Sequence, residues 1–361
     1  MQRERRFVGT VPTLPIGCLL FMGLRKIIIT GFALCLLFAV AGCRRPKAAS
    51  DINTITIYGF SVMKDSLEKE IFPAFQKEWF EHTGQQVKFA SSFAGSETVT
   101  NQVISGVPAD VAIVAIERNA VRLKTFGATQ TDWHVLPYEG VINRSPFVIV
   151  VRKGNPKGIH DFPDMAQPGV RVLHPDPTSS GGAQWSLLSI YGSEIIKSEK
   201  ATGRRDTKKA FDLLHGIWKN VIATPESARQ ARTQFESGFG DVLVTYEQEA
   251  LQLLDRQFPI EIIAPRATIF SEHTVVIVDR RMNPDKRPLV EAFVKYLWSD
   301  AAQKAFVKYH FRSITDETFD DNEPNFVKVE MPFTIHDFGG WEKAYPEVIE
   351  RVWKYQIQAM K

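Results

Sequence analysis

The sequence predicts an α/β protein of two lobes, each a mostly parallel sheet flanked by helices, with a ligand held in the cleft between them. Three observations carry this. At 361 residues and 44% apolar content, the chain can bury cores for two lobes of ordinary size. From residue 54 onward, short apolar runs alternate with stretches of helical periodicity. Two of those runs end in Ser/Gly loops that lead directly into a helix, the usual position of a ligand in an open α/β sheet.

"TITIYG" (54–59) reads as a buried strand. Residues 65–82 follow with Leu67, Ile71, Phe75 and Trp79 at helical spacing, interrupted at Pro73, and Gly84 is placed to end the helix. "VKFAS" (87–91), a helix over 96–105 and the strand "DVAIVA" (110–115) complete a βαβαβ unit, which favours parallel pairing with helices on both faces. "SPFVIVVRKGNP" (145–156) is a long β-rich run, and "VRVLH" (170–174) a strand before helices at 183–197, 207–219 and 228–237. Strands "DVLVTY" (241–246) and "TVVIVD" (274–279) follow, then a helical stretch 287–308 and an irregular acidic stretch 313–323. A last amphipathic helix around 340–359, with Trp341, Tyr345, Val348 and Trp353, is expected to pack on the first lobe. The second lobe, 146–247, is expected as an insertion into a first lobe of 51–145 plus 248–361, with crossings near 145–151 and 244–248.

The N-terminus reads as a leader. "MGLRKIIITGFALCLLFAVAGC" from Met22 has a basic start (Arg25, Lys26), an apolar run over 27–39 and small residues before Cys43. That run is short for a bilayer span and suits a secretion signal. Residues 1–42 are expected to be removed, with the true start near Met22, Cys43 lipidated and 43–50 a tether. Removing the five basic residues and one acidic residue of 1–42 from the chain's 44 and 41 leaves 39 and 40. The body is therefore near neutral, and nothing in its charge suggests nucleic acid. Cys18, Cys35 and Cys43 are the only cysteines, so the body beyond the leader can offer no disulfide, thiol nucleophile or thiolate metal site.

"HPDPTSSGGAQW" (174–185) places Pro177, Ser180, Gly181 and Gly182 ahead of a helix with no Lys or Arg in the loop. A helix start offers four N–H donors without partners and a partial positive charge, and glycines leave those donors open to close approach. "SSFAGSETVTNQ" (91–102) repeats the design with Gly95 and Ser96, and "TPESARQARTQF" (224–235) opens a third helix at Ser227 and Ala228. Each stretch, alone, could equally be a helix cap.

Together with "NQVISGVPADVAIVA" and "GDVLVTYEQEALQLL", residues 153–185 resemble the bacterial sulfate- and thiosulfate-binding proteins, the solute receptors of ABC importers. The similarity runs from about residue 52 to 312. It implies the type II periplasmic-binding-protein fold and a dehydrated oxyanion held by uncharged donors. On that resemblance, Ser180 would give a hydroxyl and N–H, Gly181 and Gly182 their N–H groups, Ser96 an N–H from the other lobe, and Ala228 a further one. Tyr246 stands where the family has a ligand-binding tryptophan. Gly59 stands where it has an Asp that orders the loops, leaving Ser61 or Asp65 as substitutes. Glu97, beside Ser96, must point away from an anion.

Rigid N–H donors satisfy a fully ionised tetrahedral anion but leave the hydrogen of a protonated one unpaired. One unmade buried bond costs ~1–3 kcal/mol, and matched sites discriminate by ~10⁴–10⁵. The expected function is a periplasmic or cell-surface lipoprotein that captures sulfate and delivers it to an ABC permease, as a monomer without cofactor or metal. Thiosulfate, molybdate or a sulfonate are alternative ligands, and a sensory anion receptor is an alternative role. A serine hydrolase built on Ser96 or Ser180 is disfavoured, because no GxSxG elbow, HExxH, CxxC or Walker loop is present. His174 and His310 are the histidines to examine for it.

Overall fold

The computed structural model describes residues 52–360. The leader 1–42, Cys43 and the tether 43–50 lie outside the described residues.

In chain order the main elements are β1 (Thr54–Phe60), α1 (Phe72–Thr83), β2 (Lys88–Ala94), α2 (Ser96–Ile104), β3 (Val111–Val114), α3 (Glu117–Thr125) and β4 (Val141–Arg152). Next come β5 (Val172–Leu173), α4 (Gly181–Thr202), α5 (Thr207–Lys219), β6 (Val221–Ala223), α6 (Ala228–Glu236), β7 (Val242–Tyr246), α7 (Glu247–Asp255), β8 (Ile260–Ile263) and β9 (Ala267–Ile277). The chain closes with α8 (Arg287–Tyr296), α9 (Asp300–Lys308), β10 (Met331–Phe333) and α10 (Tyr345–Ile357).

The described strands form one hydrogen-bonded array in two halves. In the first, β1 lies between β2 and β3 and runs parallel to both, while β9 closes the row antiparallel to β3. This is the βαβαβ unit read from the sequence. In the second, β5 lies parallel to β6 and β7, and β7 pairs antiparallel with β4. β4 joins the halves: its residues 141–146 pair with β9, and 147–151 pair with β7. β8 also pairs with β4, so the second half extends in hydrogen bonding to Ile263.

The central strands β3 and β7 read as continuous apolar runs because both faces are covered. Every residue of β3 and β7 is buried. The helices are amphipathic on the expected spacing: in α5, Ala210, Leu214, Ile217 and Trp218 are buried. The single stretch 287–308 is in fact two helices. Ser299 accepts from Ala302 N and starts α9, a cap that apolar periodicity does not register. α3 and α7 were not marked by the sequence pattern. α3 buries only Asn119, Ala120 and Leu123, too few apolar positions to show a period.

The last helix corrects its expected place. Trp353 sits edge-on to Trp218 of α5, centroids 5.5 Å apart, and Trp341 edge-on to Trp185 of α4 at 4.6 Å. Its main packing is thus on helices of the 146–247 segment, because those indoles offer the larger apolar face. Its link to the first half is the Arg118 guanidinium, 3.5 Å above the Tyr345 ring.

Candidate functional site

Ser96, Gly181 and Ala228 each occupy the first position of a helix, α2, α4 and α6, and Gly182 the second position of α4. The caps follow local rules. Ser180 has extended backbone and its hydroxyl accepts from Ala183 N, and Ser227 likewise accepts from Gln230 N. These caps serve the third N–H of each helix and leave the first two unused.

The three loops meet. Glu97 N donates to Ser179 O at 3.0 Å, and the Ser179 hydroxyl donates to Glu226 O at 2.7 Å. A Cβ on Gly95 would stand 2.7 Å from Glu226 O, and one on Gly182 would stand 2.9 Å from the Tyr246 hydroxyl. Only glycine permits these approaches. Five of the residues singled out, Ser96, Gly181, Gly182, Ala228 and Tyr246, are buried where these loops converge, and Ser180 caps the same helix.

Among the described residues, nothing accepts from the N–H groups of Ser96, Gly181, Gly182 or Ala228. A helix start in water tolerates such groups, but a buried one does so only at considerable cost. Tyr246 has no exposed surface and its hydroxyl is likewise without a partner. Burial, with Glu249 nearby, pushes its phenol well above the ordinary value, so it stays neutral. One detail differs from expectation: Ser180 N donates to Asp176 O at 2.8 Å, which leaves Ser180 only its hydroxyl hydrogen to offer.

The Ser96 hydroxyl is not turned toward the loops. It donates to Asn119 Oδ1 at 2.8 Å and accepts from Ala115 N at 2.9 Å, holding α2 against β3 and α3. Glu97 does point away. Its carboxylate is taken by Arg118 and Arg122, and Gln184 Nε2 of α4 donates to it at 3.1 Å. A carboxylate neutralised by two guanidinium groups repels a neighbouring anion little. Asn119, Arg118 and Arg122 lie on α3, the helix without a sequence signal, so their roles were illegible.

Asp65 takes a role at the site. Its carboxylate lies 2.6 Å from Arg229 Nη1, and Arg229 Nη2 is 2.9 Å from Glu249, which Arg232 also pairs at 3.2 Å. Burial opposes ionisation of Asp65, but Lys69 and Arg229 outweigh it and hold the carboxyl at about 2. The arginine follows Ala228 directly, so this chain of charges fixes the start of α6 against the first half of the molecule.

The histidines are engaged elsewhere. Neither Ser96 nor Ser180 contacts an imidazole, and His310 lies 2.7 Å from both Asp255 and Glu323. His174 and His273 are fully buried; burial holds them at about 4 and about 3, far below the usual 6.5. Their shortest polar contacts are Pro175 O and Asn143 Oδ1, each at 2.6 Å, and His273 Nε2 also lies 3.3 Å from the Ser271 hydroxyl. Both are neutral in the fold and protonate more readily when unfolded. Stability should therefore fall as pH drops below about 6.5 and keep falling toward 4, by up to ~1.4 kcal/mol per pH unit for each group. Urea unfolding at pH 7, 6, 5 and 4 reads this slope, and His174→Gln should make it shallower. An unchanged midpoint from pH 7 to 5 would contradict neutral burial.

Among the described residues no cluster of three or more His, Cys, Asp and Glu side chains is arranged to hold a metal ion, and no helix is long and apolar enough to cross a membrane.

Comparison with known proteins matches residues 55–312 to the family described as bacterial extracellular solute-binding protein. The sulfate-binding protein of Synechococcus elongatus is 34% identical, over 81% of this chain and 83% of that protein. The sulfate-binding protein of Escherichia coli is 35% identical, over 76% of this chain and 83% of its own. The thiosulfate-binding protein of Pseudomonas aeruginosa is 33% identical, over 83% and 90%. Among solved structures, the sulfate-binding protein from Mycobacterium tuberculosis H37Rv aligns with a TM-score of 0.74 at 28% identity, over 82% of this chain and 99% of that one. A periplasmic thiamin binding protein shares the fold, with a TM-score of 0.62 at 14% identity over 83% of this chain and 96% of that one.

Proposed function

The chain belongs to the bacterial extracellular solute-binding proteins, and from that premise we propose that it captures sulfate between its lobes and hands it to an ABC permease. One observation carries the ligand class: four buried N–H groups from three helix starts, together with one buried phenol, have no acceptor among the described residues. A dehydrated oxyanion supplies the acceptors that the protein withholds. The names of the relatives support sulfate as that oxyanion.

In this reading Ser96, Gly181, Gly182 and Ala228 donate through the backbone, and Ser180 and Tyr246 through hydroxyls. The donors come from both halves of the array, so affinity requires both to close on the anion. The lobes are 51–145 with 264–339, and 146–247 extended to include β8 and the last helix, which packs on α4 and α5. The protein acts by binding, without catalysis, as a monomer held at the outer face of a bacterial membrane through a lipid on Cys43. Mass spectrometry of the membrane fraction should find the diacylglyceryl group on that cysteine.

Isothermal titration with sulfate, thiosulfate, molybdate and phosphate tests the ligand. Sulfate should bind tightest, with affinity constant from pH 6 to 9, because no proposed donor titrates there. Phosphate binding as tight as sulfate would end the neutral-donor account.

A further inference from the structure

The first turn of α4 presents the N–H groups of Gly181 and Gly182, and the side chains that follow reach across to the first half of the array. Gln184 Nε2 donates to Glu97 Oε1 at 3.1 Å and to Pro177 O at 2.9 Å, and Trp185 Nε1 donates to Ala115 O at 2.6 Å. Glu97 does not need the amide for its charge, because Arg118 and Arg122 of α3 already neutralise it from its own half. Glutamine is also a costly residue at this place. It is 1% exposed and its Oε1 has no hydrogen-bond partner, whereas a leucine of similar size would bury no polar atom. What the amide supplies is a bond from α4 to a charged group of the opposite half. It runs in parallel with the backbone bond from Glu97 N to Ser179 O at 3.0 Å. Both bonds span the halves, so both are lost when the halves separate.

We propose that Gln184 and Glu97 form a clasp that keeps the site shut over its anion, as positioning residues that act on closure and touch no ligand atom. Arg118 and Arg122 hold the Glu97 carboxylate in place for the amide. Arg118 itself lies against Tyr345, so the clasp has a further footing on the last helix. A bound sulfate then leaves at a rate set partly by a contact outside its own donors. The clasp exists only in the closed form, so it slows release and leaves capture by the open form unchanged. The inference rests on the reading of the site as an oxyanion site between the lobes and adds what holds it closed.

The experiment measures release of radiolabelled sulfate into excess unlabelled sulfate, and affinity by titration, for the wild-type chain, Gln184→Leu, Glu97→Ala and the double variant. Thermal melts confirm folding, and Gln184→Met takes the place of Gln184→Leu should the latter lose its cooperative transition. In Glu97→Ala, Arg118 keeps the Tyr345 ring and Arg122 keeps Asn101 Oδ1 at 2.7 Å, so neither guanidinium is stranded. Gln184→Leu removes one hydrogen bond to a charged group and should speed release about tenfold, with association within about threefold of wild type. In the Glu97→Ala background the same substitution should speed release by much less, because the acceptor is already gone. Were Gln184 only a local brace on Pro177 O, the two backgrounds would respond alike. A response to Gln184→Leu at least about threefold larger in the wild-type background than in Glu97→Ala bears out the clasp. Responses closer than that, or a loss of affinity carried by slower association, overturn the inference alone. Failure of the wild type to bind sulfate overturns the oxyanion reading and the inference with it.

Discussion

Gly181→Val is expected to abolish sulfate binding while leaving a folded protein. A Cβ at this position would stand 2.9 Å from the Ala115 Cβ and 3.1 Å from the Ser96 Cβ, across the contact between α4 and the loop opening α2. Both neighbours are short side chains fixed to their own backbones, so neither can swing aside. The branched valine would hold the two helix starts apart and misalign at least the N–H groups of Ser96 and Gly181. Hydrogen bonds to a charged group contribute ~1.5–3 kcal/mol each, so losing two weakens binding about 10²–10⁴-fold. The half-sheets themselves do not pass through this contact, and the melting temperature should drop only modestly. Full affinity in the variant would remove the 180–182 loop from the site.

The second large effect is on stability. Arg229→Met should destabilise the protein by ~3–5 kcal/mol and also weaken sulfate binding. Glu249 is fully buried and holds its charge against Arg229 and Arg232; Asp65 has Arg229 and the more exposed Lys69. Removing one partner of a buried pair costs far more than the pair contributes, because a charge is left in a poor solvent. Asp65 also ties the first half of the molecule to the turn that presents Ala228 N–H, so the binding loss follows from geometry. A double variant, Arg229→Met with Glu249→Gln, should recover part of the stability without recovering the tie to Asp65. Denaturant midpoints and titrations of both variants separate the two effects. Equal loss of stability in the single and double variants would show that the buried charge is not its source.

The parts of this architecture legible in the sequence were those with a one-dimensional trace. Buried strands such as β3 and β7 are unbroken apolar runs, and the helix starts at Ser96, Gly181 and Ala228 follow Ser/Gly or Ser caps. What escaped detection depends on meeting in three dimensions. α3 is mostly polar along its length, yet it carries Asn119 to the Ser96 hydroxyl and Arg118 and Arg122 to Glu97. Asp65 and Arg229 are 164 residues apart and nothing local ties them. β8 is four residues long, and it is recognised as a strand only because β4 is long enough to pair with it after pairing with β9. The resemblance to sulfate- and thiosulfate-binding proteins assigned the proposed donors by position. It could not show that Ser180 spends its N–H on Asp176, since that bond depends on how the 176–180 turn closes.

The strand β9 has a bearing on how the molecule assembles. It completes the row begun by β1, β2 and β3, although more than 150 residues separate it from β3 in the chain. As the chain leaves a ribosome or a translocation channel, the early strands must wait for residue 277 before their open edge is covered. Such distant pairing slows folding and prolongs the life of an incomplete edge. A protein with this wiring stays unfinished until about three quarters of it has emerged, a delay that keeps an exported chain threadable and leaves it dependent on escorts in the meantime.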